Sequence, residues 1–500
     1  MLFRSNDPAA VERALHDLTT DGDPAHRAYA SLLEAYARRR RGDLDGARSR
    51  IKSLGFVSQW LVVGPFDNEG RAGFGRVLEP EPALTRKLDM QRAFQGKERP
   101  VRWRSIPDAY PFAWVDLGDL MRPRDKICGY ATTFVRARNA TAPRPASVWI
   151  GASGAFKAYF NGEEILSDPA YRDLDSDRMA TSITLAPGWN QLSLKVCADD
   201  SPPMLSVRLA DNRAAPDASL ETSADPNLAE QASRNLVVRK GVGAADGKVV
   251  LKAEGRQAEV ETATGPAKRP APAGGPAGPL QQFQRIASNK GADPEMLEAH
   301  ARYLLFTGGD DPAENKTREL ARHAAEKAPS VERLLLAAAV AEDRNQSREW
   351  IDKAERFARD PNDVRILLAQ ARLARTSPNW RDAVPLFDRV LSLDPDNTEA
   401  ILGRVDLFNE AGLKRTALVT LERAVERTPR SVALLSATAA QLSSLDRQAE
   451  STELSERYSS YRFDDITWIS SRVQLAVAQR NSALAEHWIQ RLVSIDPGSA

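Results

Sequence analysis

The sequence predicts a multidomain α and β chain, with an antiparallel β-sandwich flanked by an N-terminal helical hairpin and a C-terminal α-solenoid. Three observations carry that expectation. Prolines recur at 329, 361, 395, 429 and 497 through a half rich in Ala, Leu, Arg and Glu. Between about 56 and 211 the hydrophobic period changes from 3.6 to 2, the spacing of strands. From Gly265 to Pro279, nine of fifteen residues are Gly or Pro, which is linker chemistry. The resulting division is a hairpin over 1–55, a sandwich over 56–211, a linker over 212–280 and a solenoid over 281–500.

In residues 8–54, Tyr29, Leu32, Leu33 and Tyr36 form one helical stripe, and Ala47, Ile51 and Leu54 form a second. Gly42-Asp43 makes the turn between them. The Arg38–Arg41 run closes the first helix, where cations favour the negative end of the helix dipole.

Alternating segments follow at 131–138, 146–150, 155–160, 191–196 and 204–209. Asn161-Gly162 is the strongest turn signal, because both positions of a tight hairpin need positive φ. Pro187-Gly188 marks another turn. Many short strands with regular turns indicate an antiparallel sandwich or jelly roll. Within the linker, Leu236–Arg239 and Lys248–Lys252 read as a short β-like pair.

The proline gaps in the C-terminal half are 32, 34, 34 and 68, and 68 is twice 34. Small and large apolar residues share one stripe in each unit: Ala383, Phe387, Val390 and Leu391, then Ala417, Leu421 and Ala424, then Ala485, Ile489 and Leu492. Asp396 with Glu399 reads as a capping box and Gly412 as a helix stop. Pro385 inside a second helix and Ser451 and Ser455 at core positions depart from the pattern. Over about 200 residues the small, large and proline positions resemble the tetratricopeptide (TPR) family. The resemblance implies about six stacked helix pairs with a groove lined by first helices, which takes a peptide or partner protein. Arg365, Leu368, Arg372 and Arg375 project from one such helix, and Glu399, Leu402, Asp406 and Asn409 from the next. The TPR subclass that grips a C-terminal carboxylate uses Lys and Asn where this chain has Leu368 and Arg372, then Leu402 and Asp406, so that ligand is not expected.

Composition narrows the function. Lys+Arg is 69 and Asp+Glu 68, and a net charge of +1 argues against a nucleic-acid partner. Two cysteines rule out a disulfide scaffold or a cysteine-rich zinc module. The longest apolar runs, such as Leu334 to Ala341, fall far short of the ~20 residues of a membrane span. The N-terminus lacks the apolar core of an export signal, and both ends are read as cut, so the chain is expected to be a fragment.

The β region carries a second resemblance. Trp60–Phe66, Ala131–Phe134, Trp149–Gly151, Tyr159–Gly162, Gly188–Asn190 and Leu194–Val196 arrive in the order of galactose-binding-like jelly rolls. Combined with TPR units, this is similar to the non-catalytic N-terminal part of large bacterial TPR/transglutaminase-like proteins. The resemblance implies glycan contact through aromatic loop residues, with Trp103, Tyr110, Phe112 and Trp114 as candidates, while Trp60, Trp149 and Trp189 are assigned to the core. It also implies a periplasmic or cell-surface setting and, in some members, a structural calcium.

Catalytic chemistry is scarce. The histidines are His16, His26, His300, His323 and His487, so none lies in the β region to activate Cys128, Cys197 or a serine. Buried thiols and, in an exported protein, a disulfide both stay open for the two cysteines. Asp173, Asp175 and Asp177 alternate as in a calcium loop, but Arg178 and Thr184 stand where an EF-hand needs Gly and Glu. The reading is therefore a solvated loop neutralised by Arg172 and Arg178, with calcium of another geometry left open and no other cofactor. Gly64, Gly70, Gly73 and Gly75 lack the Gly-Lys-Ser/Thr of a phosphate loop. The expectation is a non-enzymatic protein–protein interaction scaffold. A carbohydrate-binding module on a helical stalk is the alternative, and the front of a transglutaminase-like or protease-like enzyme a third.

Overall fold

The computed structural model describes residues 8–20, 22–106, 112–236, 248–253, 256–261, 275–287, 292–311 and 314–495. Helices α1 (Pro8–Thr19), α2 (Pro24–Arg40) and α3 (Leu44–Ser53) open the chain, so the expected hairpin is a three-helix unit. Asp23 caps α2 by accepting from the Ala25 amide at 2.7 Å, with Pro24 at the first helical position. Gly42 sits in the α2–α3 turn at φ +86°, a region that favours glycine. Leu32, Ala35, Ala47 and Ile51 are buried between the two helices.

The β region follows as β1 (Leu61–Asp67), the single turns α4 (Ala72–Gly75) and α5 (Pro80–Ala83), and four two-residue strands. These are β2 (Phe94–Gln95), β3 (Pro100–Val101), β4 (Arg104–Ser105) and β5 (Val115–Asp116), after which comes the turn α6 (Leu117–Leu120). The long strands are β6 (Ile127–Ala137), β7 (Arg144–Ser153), β8 (Ala155–Phe160), β9 (Glu163–Asp168), β10 (Met179–Leu185), β11 (Asn190–Ala198) and β12 (Met204–Ala210). One antiparallel sheet runs β4-β1-β6-β11-β8-β9 and the other β10-β7-β12-β5. Asn161 (φ +48°) and Gly162 (φ +81°) form the β8–β9 hairpin turn.

Alternation sets the two faces of each sheet. Val135, Leu192, Leu194 and Phe156 from the first sheet meet Val148, Ile150, Val207 and Ile183 from the second in one core. The opposite face of the first sheet buries Tyr130, Phe134, Tyr159 and Trp189 under the 68–103 loop. There Cys128 and Cys197, directly paired in β6 and β11, form a disulfide.

Part of the expected linker belongs to the sheets. Strand β13 (Leu220–Ser223) pairs with β6, and the short helix α7 (Ala229–Ser233) buries Ala229 and Ala232 beside Trp189. Strand β14 (Lys248–Ala253) pairs with β15 (Arg256–Glu261) rather than with the expected 236–239 segment, which lies mostly outside the described residues.

Helix α8 (Pro279–Ala287) precedes six helix pairs. They are α9 (Pro294–Thr307) with α10 (Lys316–Lys327), α11 (Val331–Ala339) with α12 (Arg344–Phe357), α13 (Val364–Arg375) with α14 (Ala383–Leu393), α15 (Thr398–Glu410) with α16 (Lys414–Arg427), α17 (Val432–Ser443) with α18 (Gln448–Tyr461), and α19 (Ile466–Ala478) with α20 (Ser482–Ile495). First helices thus start 34 apart from residue 364 onward, at 364, 398, 432 and 466. Pro385 falls in the first turn of α14, where a missing N–H leaves no intrahelical bond unmade. The cap of α15 is Asn397, accepting from the Ala400 amide at 3.1 Å, and not Asp396, which instead pairs with Arg427 at 2.8 Å.

The array is not a separate body on a tether. Leu280, Leu297, Ala301, Leu304 and Leu320 enter the same core as the two sheets. On the edge strand β10, the Gln281 side chain accepts from the Ala180 N–H at 2.7 Å and donates to its C=O at 3.0 Å. A side-chain amide thus occupies the pairing positions a further strand would take.

Candidate interaction site

The polar residues selected on the first helices are paired across the array, with one another or with a neighbouring first helix. Arg365 bonds Glu332 of the preceding first helix and Asp363 of its own cap. Arg372 pairs with Glu399, and Arg375 with Asp406 at 2.8 Å. Asn409 and Gln441 exchange side-chain hydrogen bonds at 3.0 and 2.9 Å. These rungs link α11 to α13, α13 to α15 and α15 to α17. Leu368 is buried among Phe387, Ala371 and Ala400, and Leu402 packs on the core holding Ile401 and Leu434, so these two leucines serve inter-helix packing. The ionic rungs are solvent-exposed, and exposed pairs contribute at most about 1 kcal/mol each.

Of the aromatic glycan candidates, Trp103 and Phe112 are buried and Trp114 is half-buried. Trp103 is buried beneath the first sheet. Phe112 and Trp114 plug the three-helix unit onto the sheets: Trp114 meets Tyr36 edge-on at 5.6 Å, and the Arg39 guanidinium lies 4.6 Å from the Phe112 ring centre and 4.9 Å from that of Trp114. Tyr110 lies outside the described residues. Large rings here serve burial and stacking.

Asp173 is exposed, but the Asp175–Asp177 stretch is a buried junction and not a solvated loop. Asp175 accepts from Tyr29 of α2 at 3.0 Å and from Tyr303 of α9 at 2.8 Å, so one carboxylate ties three parts of the chain. Burial pushes the Asp175 carboxyl up, against the opposing pull of Arg178 and both tyrosines. Asp177 pairs with buried Arg208 at 2.7 Å, and Arg172 pairs with Asp168 at 2.9 Å. Among the described residues no group of three or more His, Cys, Asp or Glu is placed to hold a metal.

A second polar cluster pins the 68–88 loop to the first sheet. Lys195 donates to Glu81 at 2.6 Å and to the Arg76 carbonyl at 2.8 Å. The Tyr130 and Tyr159 hydroxyls donate to the same carboxylate at 2.8 and 2.9 Å. Burial pulls the Lys195 ammonium down to about 8, and Glu81 opposes that fall. Burial raises Glu81 in turn, but the Lys195 charge and hydrogen bond outweigh it and hold the carboxyl below its usual range.

The two ends of the described chain approach each other. The Phe463 amide, in the α18–α19 turn, donates to the Arg40 carbonyl at 2.8 Å, and its ring lies against Gly42. Arg48 of α3 donates to the Ser494 carbonyl of α20 at 2.9 Å. Inside this seam is a cavity of about 730 Å³ lined by Leu33, Tyr36, Trp114, Phe306, Arg462 and Asp464, among others. Phe306 is 43% exposed, unusual for so large an apolar side chain. Burial, aided by the Arg462 charge, brings the Arg40 guanidinium down to about 10. Asp464 Oδ1 is buried without a hydrogen bond, 3.8 Å from Arg462. Sequence reasoning missed Tyr29, Asp175, Phe306 and Phe463 as a group, because their proximity comes from the path of the whole array. Only the helical stripe through Tyr29, Leu33 and Tyr36, and Asp175 as part of an alternating acidic run, were visible.

No family model matches the chain, and neither does any curated protein. Several solved structures are similar in fold over part of it. PilW, described as a widely conserved type IV pilus biogenesis factor, is 17% identical, with 41% of this chain and 94% of that one covered and a TM-score of 0.32. A tetratricopeptide repeat protein from Parabacteroides merdae is 14% identical, with 43% and 83% covered and a TM-score of 0.34. YrrB, described as a TPR protein with an unusual peptide-binding site, is 15% identical, with 38% and 96% covered and a TM-score of 0.25.

Proposed function

We propose that this protein is a non-enzymatic interaction scaffold of the tetratricopeptide type that seats a peptide or protein segment in the seam cavity. The observation that carries the reading is the cavity itself. Its wall combines aliphatic, aromatic and charged side chains from α2, α9 and the start of α19. Its volume falls in the ~300–1,000 Å³ range of binding clefts. Along the rest of the inner face the charges selected for ligand contact are spent on one another. The two sheets, read as a jelly-roll sandwich of the galactose-binding-like kind, act as the platform that holds both ends of the helical array. A buried cross-strand disulfide supports work in an oxidising compartment.

Selection from a displayed peptide library on the intact protein tests the site. Peptides recovered on the wild type are expected to lose at least tenfold in affinity, about 1.4 kcal/mol, with Leu33→Asp or Phe306→Asp. They should bind Phe357→Asp normally, because Phe357 is 53% exposed and absent from the cavity wall. Equal binding to all three variants refutes the assignment.

A further inference from the structure

Among the described residues, β13 pairs with β6 alone, so its other edge is open. The Arg138 N–H donates to the Ser219 C=O at 2.8 Å. Along an antiparallel ladder this turns the backbone of Glu221 and Ser223 toward β6 and that of Leu220 and Thr222 away from it. The Leu220 N–H is taken up in a turn, donating to the Asp217 C=O at 3.1 Å. The Leu220 C=O and the Thr222 N–H and C=O have no hydrogen-bond partner among the described residues. Beside them lies a cavity of about 750 Å³, lined by Ile51, Lys52, Val57, Trp189, Leu209 and Thr222, among others. Another wall is the 55–57 segment, which borders β12: the Val57 N–H donates to the Val207 C=O at 2.8 Å and the Leu209 N–H to the Gly55 C=O at 2.9 Å. The cavity therefore lies between an edge of the first sheet and an edge of the second. Its chemistry follows the pleat of β13. Leu220 packs on the inter-sheet core that holds Val57 and Leu209, whereas Glu221 pairs with Arg136 and Arg138. Asp217 is matched by Arg144, and Lys52, exposed on α3, has no ion-pair partner among the described residues. The acids of this rim are matched, and its surplus charge is positive.

We infer that this cavity takes an extended peptide segment of another protein, added to β13 as a further strand, in which apolar side chains alternate with acidic ones. Its backbone completes the three open groups of Leu220 and Thr222. Its apolar side chains lie toward Val57 and Leu209, and its acids meet the cationic rim. The site shares no wall residue with the seam cavity and does not depend on what that cavity binds.

The probe is a labelled synthetic heptapeptide of alternating valine and glutamate, added to the intact protein and followed by fluorescence anisotropy. The expected result is saturable binding that weakens at least tenfold, about 1.4 kcal/mol, with Thr222→Pro. Proline at this position removes only the outward N–H and is tolerated on an edge strand, so the pairing with β6 is kept, which a matching melting curve would verify. Lys52→Glu, on an exposed side chain, is expected to weaken binding as well. On the unaltered protein, a peptide with lysine in place of glutamate should bind at least tenfold less tightly, and one N-methylated at every peptide bond should not bind. No saturable binding of the valine–glutamate peptide overturns the inference. So does equal binding to Thr222→Pro or Lys52→Glu, or equal binding of the lysine or N-methylated peptide.

Discussion

At the scale of single residues, the buried polar groups matter more than the exposed ion pairs. Lys195 and Glu81 are 0% and 2% exposed, so neither can turn to water if the other is removed. Glu81→Leu is expected to destabilise by about 3–5 kcal/mol in urea unfolding, and Lys195→Met introduced on top of it should recover much of that loss. A loss below about 1 kcal/mol would show that the loop is held by other contacts. His300 contributes a pH dependence on the acid side of neutrality. Its ring stacks on Phe283 at 4.9 Å with neither nitrogen hydrogen-bonded, and burial, then Lys316 and Arg172, lower it to about 4 against a weaker pull from Asp310. The unfolded chain takes up this proton near 6.5 and the folded chain does not. Stability from this group is therefore full above about 6.5 and declines toward pH 4, by up to about 3 kcal/mol. His300→Phe should flatten that part of the stability–pH curve, and an unchanged slope would place the dependence elsewhere. None of this was readable from sequence, where one histidine inside a helix resembles any other.

At the scale of elements, period and turn chemistry were the legible part. The 34-residue spacing located the helix pairs, and Asn161-Gly162 located a hairpin, because both signals are local. Strand β13 and the β14–β15 pairing were not legible, because short strands such as Leu220–Ser223 have little alternation and are recruited by a neighbour's edge. Two cysteines 69 residues apart became readable only once β6 and β11 were adjacent. Opening that long loop by Cys128→Ala with Cys197→Ala should cost about 4 kcal/mol on chain-entropy grounds, measured by urea unfolding. Thiol titration of the denatured protein should find no free thiol before reduction and two after. Free thiols before reduction would contradict the bonded pair.

At the scale of the whole molecule, the expectation of modules joined by a linker gives way to a continuous body. Helices α8–α10 share the core of the sheets, and the three-helix unit returns to meet α18–α20. Long-range return of this kind leaves no trace in sequence, since it depends on the small rotation accumulated from one helix pair to the next. The seam includes two hydrogen bonds to backbone carbonyls and one ring contact, each hydrogen bond contributing about 1 kcal/mol. Phe463→Ala, which removes the ring contact but keeps the backbone amide, together with Arg48→Ala, which removes the second hydrogen bond, should enlarge the radius of gyration in small-angle scattering while leaving the melting of the sheets unchanged. An unaltered radius would mean the seam is held elsewhere. The central claim, that the seam cavity seats the partner, is tested most directly by amide hydrogen exchange with and without a selected peptide. The account predicts slowed exchange in α2 and the first turn of α19. Protection confined to the sheets or to the outer second helices would contradict it.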